Sequence, residues 1–176
     1  QLAPLKEMLT YFNITKMELA GYEADDIIGT VSKYFESQDI ETLIITGDRD
    51  SFQLASDKIK ILFTKKGVSE LEIVDKQVMM NNYGITPTQF IDLKALMGDT
   101  SDNIKGVAGI GEKTGLKLIK EYKSIENLYE HIDEIKGSTK TKLENDKESA
   151  YLSKQLATIN INIPVEIESD EFLLKD

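Results

Sequence analysis

Cysteine is absent from the 176-residue sequence, so disulfide bonds and thiolate metal sites are both excluded. No apolar run approaches the roughly 20 residues that a membrane-spanning helix needs, and no basic-then-apolar signal segment opens the sequence. Basic residues are outnumbered by acidic ones, 21 to 31, which gives a net charge of -10. That charge argues against nucleic-acid binding, which favours basic domains, unless the acidic residues are grouped in one place.

The first half of the sequence alternates between helical and strand-like patterns. Residues 3–13 and 24–35 carry apolar side chains at helical spacing, whereas 42–47, 58–64 and 69–74 are typical of short strands. The sequence KKG at 65–67 predicts a hairpin between the last two strands. This alternation predicts an α/β fold with a mostly parallel sheet.

The second half is mainly helical. The predicted helices span 75–83, 86–97, 112–122, 125–131 and 139–159, with a glycine-rich loop at 98–111. We therefore divide the chain into an α/β part, residues 1–77, and a helical part, residues 78–176. Residues 160–169 return to a strand-like pattern, which would allow this tail to rejoin the sheet.

The acidic residues include three groups, each at the end of a predicted element. Taken alone, each group has an ordinary explanation as a helix cap or a turn. Two acids two residues apart after a buried strand can also point to the same side, at the sheet edge where α/β proteins bind ligands. The groups are Glu23, Asp25 and Asp26, then Asp48 and Asp50, and finally Asp99 and Asp102.

If the three groups converge, seven carboxylates share one site and repel one another unless cations bind there. Without cysteine, and with one histidine remote in sequence, hard divalent cations with oxygen ligands, Mg²⁺ or Mn²⁺, are the natural choice. Two such ions about 4 Å apart stabilise the attacking and leaving oxygens in phosphodiester hydrolysis. The acidic composition is then an indication of metal binding.

The glycine-rich loop resembles a phosphate-binding P-loop, but the spacing is wrong because Glu112 separates Gly111 from Lys113. A helical hairpin fits better, with Gly106, Gly109 and Gly111 allowing a tight turn. Backbone amides at the start of the next helix, with Lys113 beside them, would face a phosphate and ignore base sequence. The alternative is an ordinary packing element between two helices.

Three stretches together resemble a known family: GYEADD (21–26), TGDRDSFQL (46–54) and LMGDTSDNIKGVAGIGEKT (96–114). In this order and at these separations they are similar to the 5′-3′ exonuclease domains of bacterial DNA polymerase I. Those domains belong to the flap-endonuclease family of structure-specific 5′ nucleases. The resemblance implies a PIN-like α/β sheet that carries the acids and a helix-three-turn-helix (helix-hairpin-helix) element that grips duplex DNA.

The resemblance also implies residue roles. Glu23 and Asp25 would bind one metal ion with Asp26 beside them, while Asp48, Asp50 and Asp99 would bind a second with Asp102 close by. The five residues other than Asp26 and Asp102 are the expected catalytic set. Some family members also hold a potassium ion at the hairpin when DNA is bound. The expected DNA-binding residues are Lys105, Gly106, Gly109, Gly111, Lys113 and Thr114.

One departure concerns the region before Gln1. The family begins with a strand that bears a metal-binding aspartate, followed by a helical arch, and neither precedes GYEADD here. We therefore expect a piece of a longer protein that cleaves DNA poorly by itself.

The predicted function is two-metal hydrolysis of DNA at 5′ ends or flaps, in replication and repair. The predicted protein is a monomer in the bacterial cytoplasm, associated with the nucleoid and not with a membrane. The alternative is a non-catalytic, structure-specific module that binds duplex DNA. A nucleotide-binding switch is excluded by the loop spacing.

Overall fold

A computed structural model describes residues 2–66 and 69–173, which form eight α-helices and three strands. A 3-10 helix, Arg49–Leu54, follows the first strand. The predicted α/β class is confirmed. The elements are α1 (Leu2–Tyr11), α2 (Ala24–Ser37), β1 (Thr42–Thr46), β2 (Ile59–Lys66), β3 (Glu70–Val74), α3 (Lys76–Tyr83), α4 (Pro87–Met97), α5 (Glu112–Tyr122), α6 (Ile125–Glu130), α7 (Ser138–Asn145) and α8 (Lys147–Ala157).

The sheet has the order β1-β2-β3 and is mixed. Strands β1 and β2 are parallel, with Ile44 opposite Ile61, whereas β2 and β3 are antiparallel, with Ile61 opposite Val74. The predicted hairpin accounts for the difference from a mostly parallel sheet, since a short connection can join only antiparallel strands. Gly67 of the predicted turn lies outside the described residues.

One hydrophobic core runs through both predicted parts of the chain. The buried face of the sheet packs against Phe52 of the 3-10 helix and Phe90 of α4, and the same cluster continues to Leu96, Ile119 and Leu128. Fully burying a side chain of this size stabilises the fold by about 1.5–3 kcal/mol. Helix α4 is buried over most of its length and lies at the centre of this core. The division at residue 77 stays a prediction.

The predicted helix at 139–159 is wrong as a single element. It is broken at Asp146, where the backbone has φ −112° and ψ 23°, into α7 and α8. The Asp146 carboxylate accepts a hydrogen bond from the Ala108 amide at 2.8 Å. A contact with the glycine-rich loop, which helical periodicity does not report, therefore coincides with the break.

The tail at 160–169 adds no strand to the three-stranded sheet within the described part of the chain. It packs on α2 instead, where a Cβ on Gly29 would come within 2.8 Å of Ile159 Cγ2 and 3.2 Å of Ile161 Cγ2. The Asn160 amide donates to Asp26 Oδ1 at 2.8 Å. The alternating isoleucines that indicated a strand therefore serve to cover a helix.

Among the described residues, no helix combines the length and apolarity that crossing a membrane requires.

Candidate functional site

The first strand ends in a turn whose geometry is set by its own polar side chains. Thr46 Oγ1 accepts the Asp48 amide at 3.0 Å, and Asp48 Oδ1 accepts the Asp50 amide at 2.9 Å. Asp48 is therefore the N-cap of the 3-10 helix, and Asp50 follows within its first turn. The exposed Asp48 and the buried Asp50 thus belong to one turn that is formed by contacts between residues near each other in sequence.

The group at the start of α2 has a different arrangement. Glu23 is the N-cap residue and is exposed, while Asp25 is half-buried. Asp26 is committed to the backbone, because Oδ2 accepts the Glu23 amide at 3.3 Å and Oδ1 accepts the Asn160 amide at 2.8 Å. Asp26 therefore anchors the tail against α2.

The three acidic groups converge. Six of the seven predicted acids line one cleft of about 610 Å³, with residues 155–160 of α8 and the tail as its other wall. Burial raises the pKa of Asp25, and repulsion from Asp48 and Asp50 raises it further. Those lining acids are Glu23, Asp25, Asp26, Asp48, Asp50 and Asp102.

The seventh acid, Asp99, adjoins the cleft. One carboxylate oxygen from each of Asp50, Asp99 and Asp102 lies within 4.8 Å of the others. Asp99 is fixed in an Asx turn, since its Oδ1 accepts the Ser101 amide at 2.9 Å. The predicted caps and turns therefore exist, and they orient the carboxylates toward one another.

Lys94 is a site residue that sequence reasoning missed. Its side chain is 6% exposed on α4, and its ammonium contacts the carboxylates of both Asp50 and Asp99. Burial opposes the charged ammonium, but these two partners raise the pKa of Lys94. The signal that could have indicated it is a lysine inside the apolar run FIDLKALM, because a buried lysine needs an acidic partner.

The carboxylates themselves respond unequally to Lys94. Burial raises the pKa of Asp50 despite this partner. Burial would also raise the pKa of Asp99, but hydrogen bonds from Lys94 and Ser101 lower it to about 2. The Lys94 ammonium thus contacts only two of the seven carboxylates. Oxygen-only donors of this kind fit a hard divalent cation.

The glycine-rich loop folds back on the end of α4. Gly98 and Gly106 both have positive φ, and a Cβ on Gly106 would lie 2.3 Å from the Gly98 amide nitrogen. Gly109 also has positive φ, at 76°. Gly111, in contrast, has φ −96° and open space where a Cβ would be. The expectation that all three glycines serve the turn therefore holds for Gly106 and Gly109 but not for Gly111.

A polar stripe on α7 and α8 holds this loop from behind. It donates to the carbonyls of Gly106 at 2.6 Å and Gly109 at 3.1 Å, and it accepts the amides of Gly106 at 2.9 Å and Ala108 at 2.8 Å. Sequence reasoning missed the stripe, although its spacing of four, three and four residues is helical. The polar stripe consists of Lys142, Asp146, Ser149 and Ser153.

Hydrogen bonds to the polar stripe leave only some amides of the loop available to a ligand. Those of Gly106 and Ala108 are already engaged, whereas the first amides of α5 have no partner within the helix. Lys105, Gly109, Gly111 and Lys113 are exposed, Thr114 is half-buried and Gly106 is buried. Lys113 and Thr114 also line a cleft of about 590 Å³, in which Lys117 and Lys136 lie with Glu121 and Glu134. The start of α5 is thus an exposed surface with charges of both signs.

Sequence comparison covers the whole chain. Residues 1–84 match the family described as 5′-3′ exonuclease, N-terminal resolvase-like domain, and residues 85–176 match 5′-3′ exonuclease, C-terminal SAM fold. DNA polymerase I of Lactococcus lactis subsp. lactis is 51% identical over 178 residues, 99% of this chain and 20% of that protein. DNA polymerase I of Bacillus subtilis is 46% identical over 168 residues, 95% and 19% respectively. The chain thus spans about a fifth of the length of these relatives.

Solved structures with the same fold include nucleases. T5 5′-exonuclease with bound zinc ions has a TM-score of 0.76 and 26% identity, with 90% of this chain and 59% of that chain covered. The catalytic core of Rad2 in complex with a DNA substrate has a TM-score of 0.62 and 19% identity, with 97% and 57% covered. At that identity the second likeness concerns the fold alone.

Proposed function

The chain belongs to the 5′-3′ exonuclease family, and we propose on that premise that it hydrolyses DNA phosphodiesters at 5′ ends or flaps. The observation that carries the proposal is the single cleft in which acids from three distant parts of the sequence meet. The cleft is linked by residues 98–106 to the glycine hairpin, residues 106–113, which runs into the start of α5. A duplex on the glycine hairpin would therefore lie near the acids. A role in DNA replication and repair follows from this activity.

We assign the carboxylates to two divalent ions, Mg²⁺ or Mn²⁺. Glu23 and Asp25 would hold one ion, and Asp48, Asp50 and Asp99 the other, with Asp26 and Asp102 beside them. The cluster of Asp50, Asp99 and Asp102 supports the second site, and the zinc ions in T5 5′-exonuclease support divalent metal use. When bound, such ions would activate the attacking water and offset charge on the scissile phosphate.

The chain's own residues prepare the site. Asp48 and Asp99 place their carboxylates through the helix cap and the Asx turn described above. Lys94 keeps the carboxylates of Asp50 and Asp99 close together, because its ammonium contacts both. Asp26 fixes the tail as the opposite wall of the cleft.

The hairpin would supply the DNA contact. Phosphates would meet the exposed amides at the start of α5 and the ammoniums of Lys105 and Lys113, with Thr114 nearby. Gly111 would let the backbone approach closely, since no side chain stands there. Contacts to phosphates carry no base information, so binding would be independent of sequence.

Three further features belong to this proposal. The carbonyls of Gly106 and Gly109 lie in the loop where a K⁺ would bind together with DNA. The protein would act as a monomer. It would work in the bacterial cytoplasm at the nucleoid, and the DNA polymerase I relatives from bacteria support that assignment.

A matched pair of cap variants tests the proposal. Asp48→Asn removes a cleft charge but keeps an N-cap acceptor, and Asp75→Asn does the same at the N-cap of α3, outside the cleft. Both variants are prepared in the complete open reading frame that contains this chain. We expect Asp48→Asn to lower the cleavage rate of a 5′-flap DNA in Mg²⁺ about a hundredfold or more. Asp75→Asn should cleave like the unmodified protein.

Binding of the same flap DNA, measured by fluorescence anisotropy in Ca²⁺, separates the two candidate functions. Tight binding without cleavage by the unmodified protein in either Mg²⁺ or Mn²⁺ would identify a DNA-binding module. Equal cleavage by the Asp48→Asn and unmodified proteins would refute the assignment of Asp48 as a metal ligand.

A further inference from the structure

The sequence contains a single arginine, Arg49, among 21 basic residues. It stands between Asp48 and Asp50 and is the first residue of the 3-10 helix that Asp48 caps. Its guanidinium carbon lies 5.6 Å from the ring centre of Tyr83, 5.9 Å from that of Phe90 and 6.0 Å from that of Phe52. Three aromatic rings therefore restrict its position, at distances typical of cation–π contacts.

The same guanidinium reaches the start of the hairpin's second helix. Arg49 Nη2 donates to Tyr83 Oη at 3.2 Å and to Glu112 Oε1 at 3.3 Å. Glu112 is the first residue of α5 and follows Gly111 directly. Arg49 thus connects the loop that bears Asp48 and Asp50 to the helix start proposed to contact DNA.

This ion pair is too exposed to matter much for folding. The side chains of Arg49 and Glu112 are 38% and 43% exposed, and exposed ion pairs contribute little to stability. Its location, between two sites that must act on one substrate, is the informative property. A planar guanidinium can stack on rings and bond an oxygen at the same time, which a lysine ammonium cannot do.

We propose that Arg49 and Glu112 are a positioning pair that sets the distance between the acid cleft and the hairpin. The inference rests on the proposed function, because it concerns how one DNA engages both sites. A duplex held at the start of α5 presents its scissile phosphate to the cleft only if the two elements keep their spacing. Displacement by about 1 Å can cost a hundredfold in rate, so even a loosened pair should lower the rate of cleavage.

The alternative role for Arg49 is a direct phosphate contact. That role needs a guanidinium free to face the substrate, whereas this one lies within 6.0 Å of three ring centres and is bonded to Tyr83 and Glu112. The two roles differ in what they would change. A phosphate contact would strengthen DNA binding and would survive in part as a lysine, while positioning would affect the chemical step and would require the guanidinium fork.

A double-mutant cycle tests the pair in the complete open reading frame that contains this chain. The variants are Arg49→Met, Glu112→Gln and the two combined, with Arg49→Lys as the charge-conserving change. Cleavage of a 5′-flap DNA is measured in single-turnover mode, duplex Kd by anisotropy in Ca²⁺, and Mn²⁺ stoichiometry by electron paramagnetic resonance. Glu72→Gln, which removes a remote ion-pair partner of Lys65, is the matched control for Glu112→Gln.

We expect each single variant to lower the single-turnover rate about tenfold, with the double variant no slower than Arg49→Met. Duplex Kd should not increase and Mn²⁺ stoichiometry should stay unchanged, Arg49→Lys should be as slow as Arg49→Met, and Glu72→Gln should be unaffected. Losses that multiply in the double variant, or a loss confined to Kd, would overturn the positioning role. If Arg49→Met does not fold, Glu112→Gln and Arg49→Lys decide by the same criteria. An unmodified protein that binds but never cleaves would refute the proposed function itself, before any variant is considered.

Discussion

The acid cleft and the glycine hairpin are neighbours that are stabilised in opposite ways. In and beside the cleft lie seven carboxylates, of which two contact the buried ammonium of Lys94, and burial and mutual repulsion raise the pKa values of Asp25 and Asp50. In the hairpin, the polar stripe pairs with the loop's carbonyls and amides. The hairpin is therefore complete as folded, whereas the cleft holds excess negative charge that a cation would offset. The difference teaches that the polar groups of one region are paired within the chain, while the other would be stabilised by a cation.

The largest effect that would break this comparison is the loss of the buried ammonium of Lys94, which contacts Asp50 and Asp99. Lys94→Met should destabilise the chain by about 3–5 kcal/mol in EDTA, because it leaves the buried Asp50 and the adjacent Asp99 without their partner. Millimolar Mn²⁺ should restore part of that loss by binding the same carboxylates. Urea unfolding with and without Mn²⁺ measures both quantities.

Lys154→Met is the matched control. Lys154 is also largely buried and pairs with two acids, Asp92 at 2.7 Å and Glu126 at 2.8 Å, but it does so outside the acid cleft. Its loss should destabilise the chain without rescue by Mn²⁺. Equal rescue of both lysine variants would show that the cation acts on the protein in general and not on the cleft.

Gly106 and Gly111 sharpen the comparison, because only Gly106 is required by the backbone conformation and packing of the hairpin. Gly106→Ala should cost about 2–4 kcal/mol of stability, since it combines a positive φ with a Cβ only 2.3 Å from the Gly98 nitrogen. Gly111→Ala should change stability by less than about 0.5 kcal/mol, because its φ is negative and the space is open.

For duplex affinity, in contrast to stability, Gly111 should be the more sensitive of the two glycines. Gly111→Ala should weaken binding of a blunt duplex several-fold while the chain remains fully folded, because the new methyl group would stand where a phosphate approaches the amides. Thermal unfolding and anisotropy at several salt concentrations measure the two properties separately. Unchanged binding by Gly111→Ala would mean that DNA does not contact the start of α5.

Much of this architecture could be predicted because it is encoded locally. Helix α5 spans Glu112–Tyr122 as predicted, since a glycine precedes it and its apolar residues keep helical spacing. The meeting of the acidic groups could also be anticipated, because strand ends and helix starts lie at one edge of an α/β sheet. Three of the acids are held by a short-range cap or turn: Asp26 at the start of α2, Asp48 as the cap of the 3-10 helix, and Asp99 in its Asx turn.

The features that escaped prediction all depend on partners distant in sequence. Asp146 bonds an amide of the glycine-rich loop where the helix breaks, and the tail covers α2 because Gly29 leaves room for Ile159 and Ile161. The role of Lys94 required the fold to bring Asp50 and Asp99 to one ammonium. Tertiary contacts of this kind override periodicity, which reports only on neighbours along the chain.

A modest effect is expected from the removal of a single charge of the cleft. Asp25→Asn should raise the Tm in EDTA by about 2–4 °C, the shift that roughly 1 kcal/mol produces in a chain of this size. The reason is that burial and the repulsion from Asp48, Asp50 and Glu23 both disfavour the charged form of Asp25. Asp133→Asn is the control, because the hydrogen bond from Lys140 lowers the pKa of Asp133, so its loss should not raise the Tm.

The pH dependence of the Tm, compared between the unmodified chain and Asp25→Asn, tests whether the charge on Asp25 is destabilising. A raised pKa means that the folded chain holds the Asp25 proton more tightly than the unfolded chain does, so the penalty present at neutral pH disappears as the pH falls through the folded pKa. In EDTA the Tm of the unmodified chain should therefore rise as the pH falls from neutral toward the ordinary pKa of 3.8, and that rise should be smaller in Asp25→Asn. Below the ordinary value of 3.8 both chains should lose stability as the pH approaches 2, because Asp99, whose pKa is lowered to about 2, then loses its charge. Parallel Tm profiles for the two chains between neutral pH and 3.8 would show that Asp25 does not experience the repulsion on which the contrast between cleft and hairpin depends.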